Sequence, residues 1–177
     1  MDLPIEDQLK LPDLIARCMW ALDFGDPNAY ASCFAPDGEL FMDGIPEGAS
    51  KPGLYRGRDE LQKHAATVFN STAGHVRHWN SNSVLNGSGD RASAESYVVV
   101  VRVGQFPLAG IISTGIHRDT FQKFDGEWKI VRRTFVCDPQ PEHTKKPSHT
   151  MIARRDAFIM RSMSSPSPLA FARQQKE

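Results

Sequence analysis

Residues 111–136, IISTGIHRDTFQKFDGEWKIVRRTFV, decide how the chain folds. Two β-rich runs flank Asp125-Gly126, a dipeptide that accepts the positive φ angles of a tight two-residue turn. The stretch therefore predicts an antiparallel hairpin. Alternation along its first strand puts Ile111, Ser113, Gly115 and His117 on one face and Ile112, Thr114, Ile116 and Arg118 on the other. On the returning strand Trp128, Ile130, Arg132 and Thr134 oppose Lys129, Val131, Arg133 and Phe135. His117 has small or polar neighbours on its face, which suits a cavity better than solid packing.

Upstream, residues 75–103 read HVRHWNSNSVLNGSGDRASAESYVVVVRV, with β-branched and aromatic runs on either side of a turn-rich NGSGD. This predicts a second hairpin. The strand reading separates the two histidines at its start. Side chains three apart share a helix face but diverge on a strand, so His75 and His78 are not expected to ligate one metal. Val76, His78, Asn80, Asn82 and Val84 fall on one side; Arg77, Trp79, Ser81, Ser83 and Leu85 fall on the other. Neither set is clean core. One face is expected to border a polar-lined cavity, and the other to meet another subunit through Trp79.

The first third of the chain is helical. From Leu11 to Leu22, residues Ile15, Cys18, Met19 and Leu22 form one apolar stripe. Gly25 ends that helix, Asp26 is a ready N-cap, and Pro27 suits the first position of a second. Asp26 thus fills the capping role and leaves Asp23, one turn beyond Met19, without an obvious structural task. A short strand at ELFMDG (39–44) leads into a Pro/Gly-rich loop. A third helix follows from about Asp59, with Leu61, Ala65, Val68 and Phe69 inward and His64 expected at the surface. Three helices before a long antiparallel sheet make an α+β domain over residues 1–140. Residues 141–177 form a tail with an amphipathic helix expected from Ser148 to Met163, acting as a lid or a subunit contact.

Of 177 residues, 40% are hydrophobic and 24% charged, enough for one sizeable core. Twenty-one basic residues balance 21 acidic ones. This speaks against a nucleic-acid or anionic-membrane surface. The tail carries seven basic and three acidic residues, so the preceding body is acidic. No apolar run approaches the roughly 18 residues of a membrane span. The acidic start, MDLPIEDQLKLPD, lacks the apolar core of an export signal. Cys18, Cys33 and Cys137 form no CxxC and are expected to be reduced fillers in a cytoplasmic protein.

ALDFGDPNAYASCFAPDGEL near the start, YRGRDEL at the third helix, RHWNSN on the first long strand and STGIHRDTFQKFDGEWKIVRR at the hairpin resemble, in order and spacing, the SnoaL-like family of the nuclear transport factor 2-like superfamily. The resemblance covers about residues 8 to 138. It implies a curved antiparallel sheet wrapped with helices into a cone-shaped α+β barrel with an apolar pocket. It also implies a small-molecule substrate, no cofactor or metal, and a homo-oligomer, a dimer or trimer. In its scytalone dehydratase, dehydrochlorinase and bile acid 7α-dehydratase branch, a helix-end aspartate pairs with a histidine on the first long strand. Those positions match Asp23 and His78. Two departures stand out: Cys18 where the bile acid enzyme is expected to carry tyrosine, and His117 where relatives often have tyrosine.

An aspartate can fix the tautomer of an imidazole and favour the imidazolium formed on proton abstraction. Imidazole in water titrates near pH 6.5, and a positioned base contributes roughly 10²–10⁴ in rate. Return of the proton to a departing hydroxyl, from that imidazolium or from His117, gives a dehydratase-like β-elimination. Asp23, His78 and His117 are therefore the candidate catalytic residues. Cys18, Trp20 and Phe41 line either core or pocket, and Asn80 and Asn82 either bind ligand or satisfy the sheet. The leading expectation is a cofactor-independent lyase or isomerase acting on an apolar polyketide, steroid or aromatic metabolite. Its alternatives are a non-catalytic binding protein and the small subunit of a ring-hydroxylating dioxygenase.

Overall fold

A computed structural model describes residues 3–44, 53–104 and 109–139. The Asp125-Gly126 turn forms as its residues demand, with φ of 49° and 85°. It joins β5 (Gly110–Phe124) to β6 (Glu127–Cys137). The second hairpin pairs β3 (Val76–Ser88) with β4 (Arg91–Arg102), and β4 pairs antiparallel with β5. These four strands form an antiparallel meander.

The sheet does not stay antiparallel. β1 (Phe34–Asp43) lies beside β6 and runs parallel to it, while β2 (Gly53–Arg56) closes the edge antiparallel to β1. The order is β2-β1-β6-β5-β4-β3, a six-stranded mixed sheet. Alternation within a strand records which face is buried but not which neighbour pairs with it, so the parallel contact had no local signature. β1 also begins earlier than expected, at Phe34, with an irregularity between Phe34 and Glu39 that absorbs the Pro36-Asp37-Gly38 turn residues. Register shifts at Ser81/Val84, Val100/Val101 and Thr120/Phe121 bend the long strands. Such bulges add local twist and curve the sheet.

α1 spans Ile5–Asp23 and carries Pro12 inside it rather than at its start. Proline removes one intrahelical hydrogen bond and normally marks a boundary. Here the extra turn is anchored by tertiary contacts: Trp128 Nε1 and Lys123 Nζ donate to the two carboxylate oxygens of Asp7, at 2.8 and 2.9 Å. α2 (Pro27–Ser32) is capped as expected, with the Asp26 side chain accepting from the Ala29 N–H at 2.9 Å. α3 spans Gly57–Thr72. Leu11, Ile15, Leu22 and Tyr30 pack with Leu61, Phe121 and Ile130 in the main core between helices and sheet. His64 belongs inside rather than at the surface, its ring centroid 4.5 Å from that of Tyr55 and tilted 51° to it. The 141–177 tail, with the helix expected from Ser148 to Met163, lies outside the described residues.

Candidate active site

Asp23 is the last residue of α1, where the helix dipole disfavours a negative charge by about 0.3–1 kcal/mol. No basic residue lies in that last turn. The compensation comes from the start of β3. The backbone N–H of His78 donates to Asp23 Oδ2 at 2.8 Å, and His78 Nδ1 lies 2.5 Å from Oδ1. With Asp23 ionised, Nδ1 carries the proton and donates it, which leaves Nε2 as the ring's basic lone pair. The two side chains are 7% and 14% exposed, so the pair is largely shielded yet its ring edge is reachable.

Arg77 clamps the two elements together. Its guanidinium donates to the carbonyls of Gly74 and Val76 at 2.9 and 2.6 Å and reaches that of Asp23 at 3.4 Å. It also sits 4.6 Å over the Phe24 ring. The end of α1 and the entry to β3 are thereby tied on both sides of the Asp23–His78 contact. His75 is exposed and lies just before the first residue of β3.

His117 and Asn80 are brought to the same face. His117 is 5% exposed and packs edge-on to Phe135 with ring centroids 5.5 Å apart. Asn80 Nδ2 reaches His117 Nδ1 at 2.9 Å and donates to Ser96 Oγ at 3.1 Å. Burial, then the positive charge of Arg133 and then His78 hold His117 well below the usual imidazole range. It is neutral. An imidazolium at this position is therefore disfavoured.

Other candidates part company. Trp20 is 66% exposed and stacks on Phe24 at 4.9 Å, because two steps beyond Cys18 turn it about 200° round the helix. Asn82 is also exposed. It takes φ of 52° at the Ser81/Val84 bulge, and beyond it Leu85 rather than Val84 packs inward. Phe41 is half-buried, with the Arg132 guanidinium 6.0 Å over its ring. Cys18 is fully buried in the main core, its thiol pushed up by burial, and all three cysteines are free.

A buried ion pair escaped the sequence reading. Arg133 Nε and Nη2 donate to the two carboxylate oxygens of Asp119 at 2.7 and 2.8 Å, with the side chains 1% and 0% exposed. Its Nη1 faces Cys18 Sγ at 3.5 Å and Met19 Sδ at 3.8 Å. Burial opposes the guanidinium charge, but the Asp119 carboxylate overrides it and holds the pKa above the ordinary arginine value. Counting back from the Asp-Gly turn pairs Asp119 with Arg132. The bulge at Val131 advances the register by one, so Arg133 takes that place and joins Ile130 on the inner face.

Among the described residues, no group of three or more His, Cys, Asp or Glu side chains is placed to hold a metal ion. No described helix is long and apolar enough to cross a membrane.

The family model of the SnoaL-like domain matches residues 4–134, which takes in every strand but the last residues of β6. The chain belongs to the SnoaL-like family. Solved structures agree with this SnoaL-like fold. A protein of unknown function from Nostoc punctiforme, with a cystatin-like fold, is 28% identical over 79% of this chain and 97% of its own, with a TM-score of 0.68. A protein from Novosphingobium aromaticivorans provisionally named an aromatic ring hydroxylase is 26% identical over 76% and 91%, with a TM-score of 0.60. A provisionally named scytalone dehydratase from the same organism shares the fold at 22% identity over 76% and 85%, with a TM-score of 0.60. No curated relative matches this SnoaL-like chain.

Proposed function

We propose that this SnoaL-like protein is a cofactor-independent lyase or isomerase whose base is His78, oriented by Asp23. The observation that carries the reading is the two-point hold of the Asp23 carboxylate on the His78 backbone and ring. The backbone hydrogen bond alone would suffice to tie α1 to β3; the second contact, to the ring, is the one that orients an imidazole. In the proposed reaction Nε2 removes a proton from an acidified C–H of a small, mostly apolar substrate. The resulting imidazolium, stabilised by Asp23, returns the proton to a leaving hydroxyl or to another carbon. Water loss results in the first case and isomerisation in the second. With an imidazolium disfavoured at His117, the reading favours His78 for both transfers, with departure from the face that lost the proton.

The test starts from whatever small molecule mass spectrometry finds in the purified protein. His78→Ala and Asp23→Asn each abolish its turnover while circular dichroism stays unchanged. Normal rates in both variants would remove the proposal.

The similarity to the Novosphingobium aromatic ring hydroxylase supports a second reading, a subunit of a ring-hydroxylating oxygenase. Co-purification with a large iron–sulfur partner would favour it. For the first reading we expect a homodimer or homotrimer joined through the sheet face opposite the helices, where Trp79 and Tyr97 are 60% and 56% exposed. Light scattering of the pure protein tests this.

A further inference from the structure

Asn80 Oδ1 is shielded from solvent and has no hydrogen-bond partner, the one such side-chain atom found among the described residues. A buried acceptor left unmet costs about 1–3 kcal/mol, so its presence calls for a missing donor. The other end of the same amide is fully engaged, with Ser96 Oγ and with His117 Nδ1. That contact fixes the imidazole too. Since Nδ1 accepts from the amide, the proton of the neutral ring sits on Nε2, which no described residue engages. Asn80 lies two positions along β3 from His78 and so shares its face.

We propose that Asn80 and His117 together form a hydroxyl-reading pair, one acceptor and one donor, that holds the oxygen substituent of the substrate beside His78. A hydroxyl both donates and accepts, so it satisfies Oδ1 and takes the Nε2–H at once; an ether or ketone answers only the donor, and a methyl group neither. The complement of one donor and one acceptor is unchanged if the amide is turned over. Its oxygen would then accept from an Nδ1–H, Nε2 would be the outward acceptor and the NH2 the outward donor. The inference rests on the reading that ligand enters beside Asp23–His78, and it makes His117 and Asn80 specificity-determining residues. Tyrosine at position 117 could offer a hydroxyl but could not be pinned by the amide in this way, so histidine there sets this chain's preference.

Phenol, anisole and toluene are near-isosteric probes of the three cases. Titrated into the full chain and followed by 15N-edited NMR, phenol should bind about tenfold tighter than toluene, the worth of one to two neutral hydrogen bonds. Anisole should fall between them, and phenol alone should move both His117 ring nitrogens. The preference should vanish in Asn80→Leu and in His117→Phe, which keeps an aromatic contact with Phe135, while toluene affinity holds. In His78→Ala it should persist, so normal turnover by that variant would refute the catalytic reading and leave this result standing. Equal affinity for phenol and toluene, no binding of phenol, or a preference surviving in both Asn80→Leu and His117→Phe would overturn the proposal.

Discussion

Removing one partner of the Arg133–Asp119 pair strands a charge in the core. With both side chains at or below 1% exposure and two hydrogen bonds of 2.7 and 2.8 Å, little solvent is available to stabilise the survivor. Breaking a buried pair from one side costs about 3–5 kcal/mol. Against a typical total of about 5–15 kcal/mol that is a fifth or more of the folding free energy. For a chain of this size it corresponds to a fall in Tm of about 6–20 °C. Asp119→Leu and Arg133→Met should each show this loss in urea denaturation at pH 7, with an unchanged m-value. The double variant should recover most of it, because an apolar pair of similar volume has no desolvation to overcome. Single variants within about 1 kcal/mol of wild type would show that water or rearrangement reaches the site, and the bulged register would no longer be what holds the inner face together.

Burial holds His64 at a pKa of about 4, below the ordinary 6.5. The unfolded chain therefore binds a proton that the folded chain refuses between those values. Stability should fall by about 3 kcal/mol as pH drops from 6.5 to 4, and the wild-type minus His64→Phe difference should contain that slope; a flat difference would contradict it. Hydrogen bonds from Lys123 and Trp128 hold Asp7 below the usual carboxylate range, so its contribution is present above pH 3.8 and is lost as pH falls through the folded value. The gap in Tm between wild type and Asp7→Asn should thus be widest at neutral pH and close on acidification. Adding a methyl group at Gly115 would drive it into the Val136 carbonyl, so Gly115→Ala should loosen the β5–β6 ladder, seen as faster amide exchange at Val136.

What the sequence disclosed follows from the range over which each signal acts. The Asp125-Gly126 turn and the Asp26–Pro27 start of α2 are local, and both were legible. The contact between Asp23 and His78 was reached only through family resemblance, since 55 residues separate them. Features set by tertiary packing were hidden. Pro12 reads as a helix boundary until Trp128 and Lys123 are seen to hold Asp7. Val131 and Asn82 each shift the parity of a strand by one, which buried Arg133 and exposed Asn82 against simple alternation. No composition or period marks a bulge before its partner strand is known. His64 looked like surface because a histidine on a polar helix usually is; only the aromatic neighbours on α2 and β2 explain its burial.

The central claim is that Asp23 fixes the His78 ring with its proton on Nδ1 and its basic lone pair on Nε2. Two-bond 1H–15N correlation of the histidine rings at pH 8 tests it directly. The account predicts a strongly downfield Nδ1 proton and a pyridine-like Nε2 for His78, both altered in Asp23→Asn. A His78 ring protonated on Nε2, with a spectrum indifferent to that substitution, would contradict it.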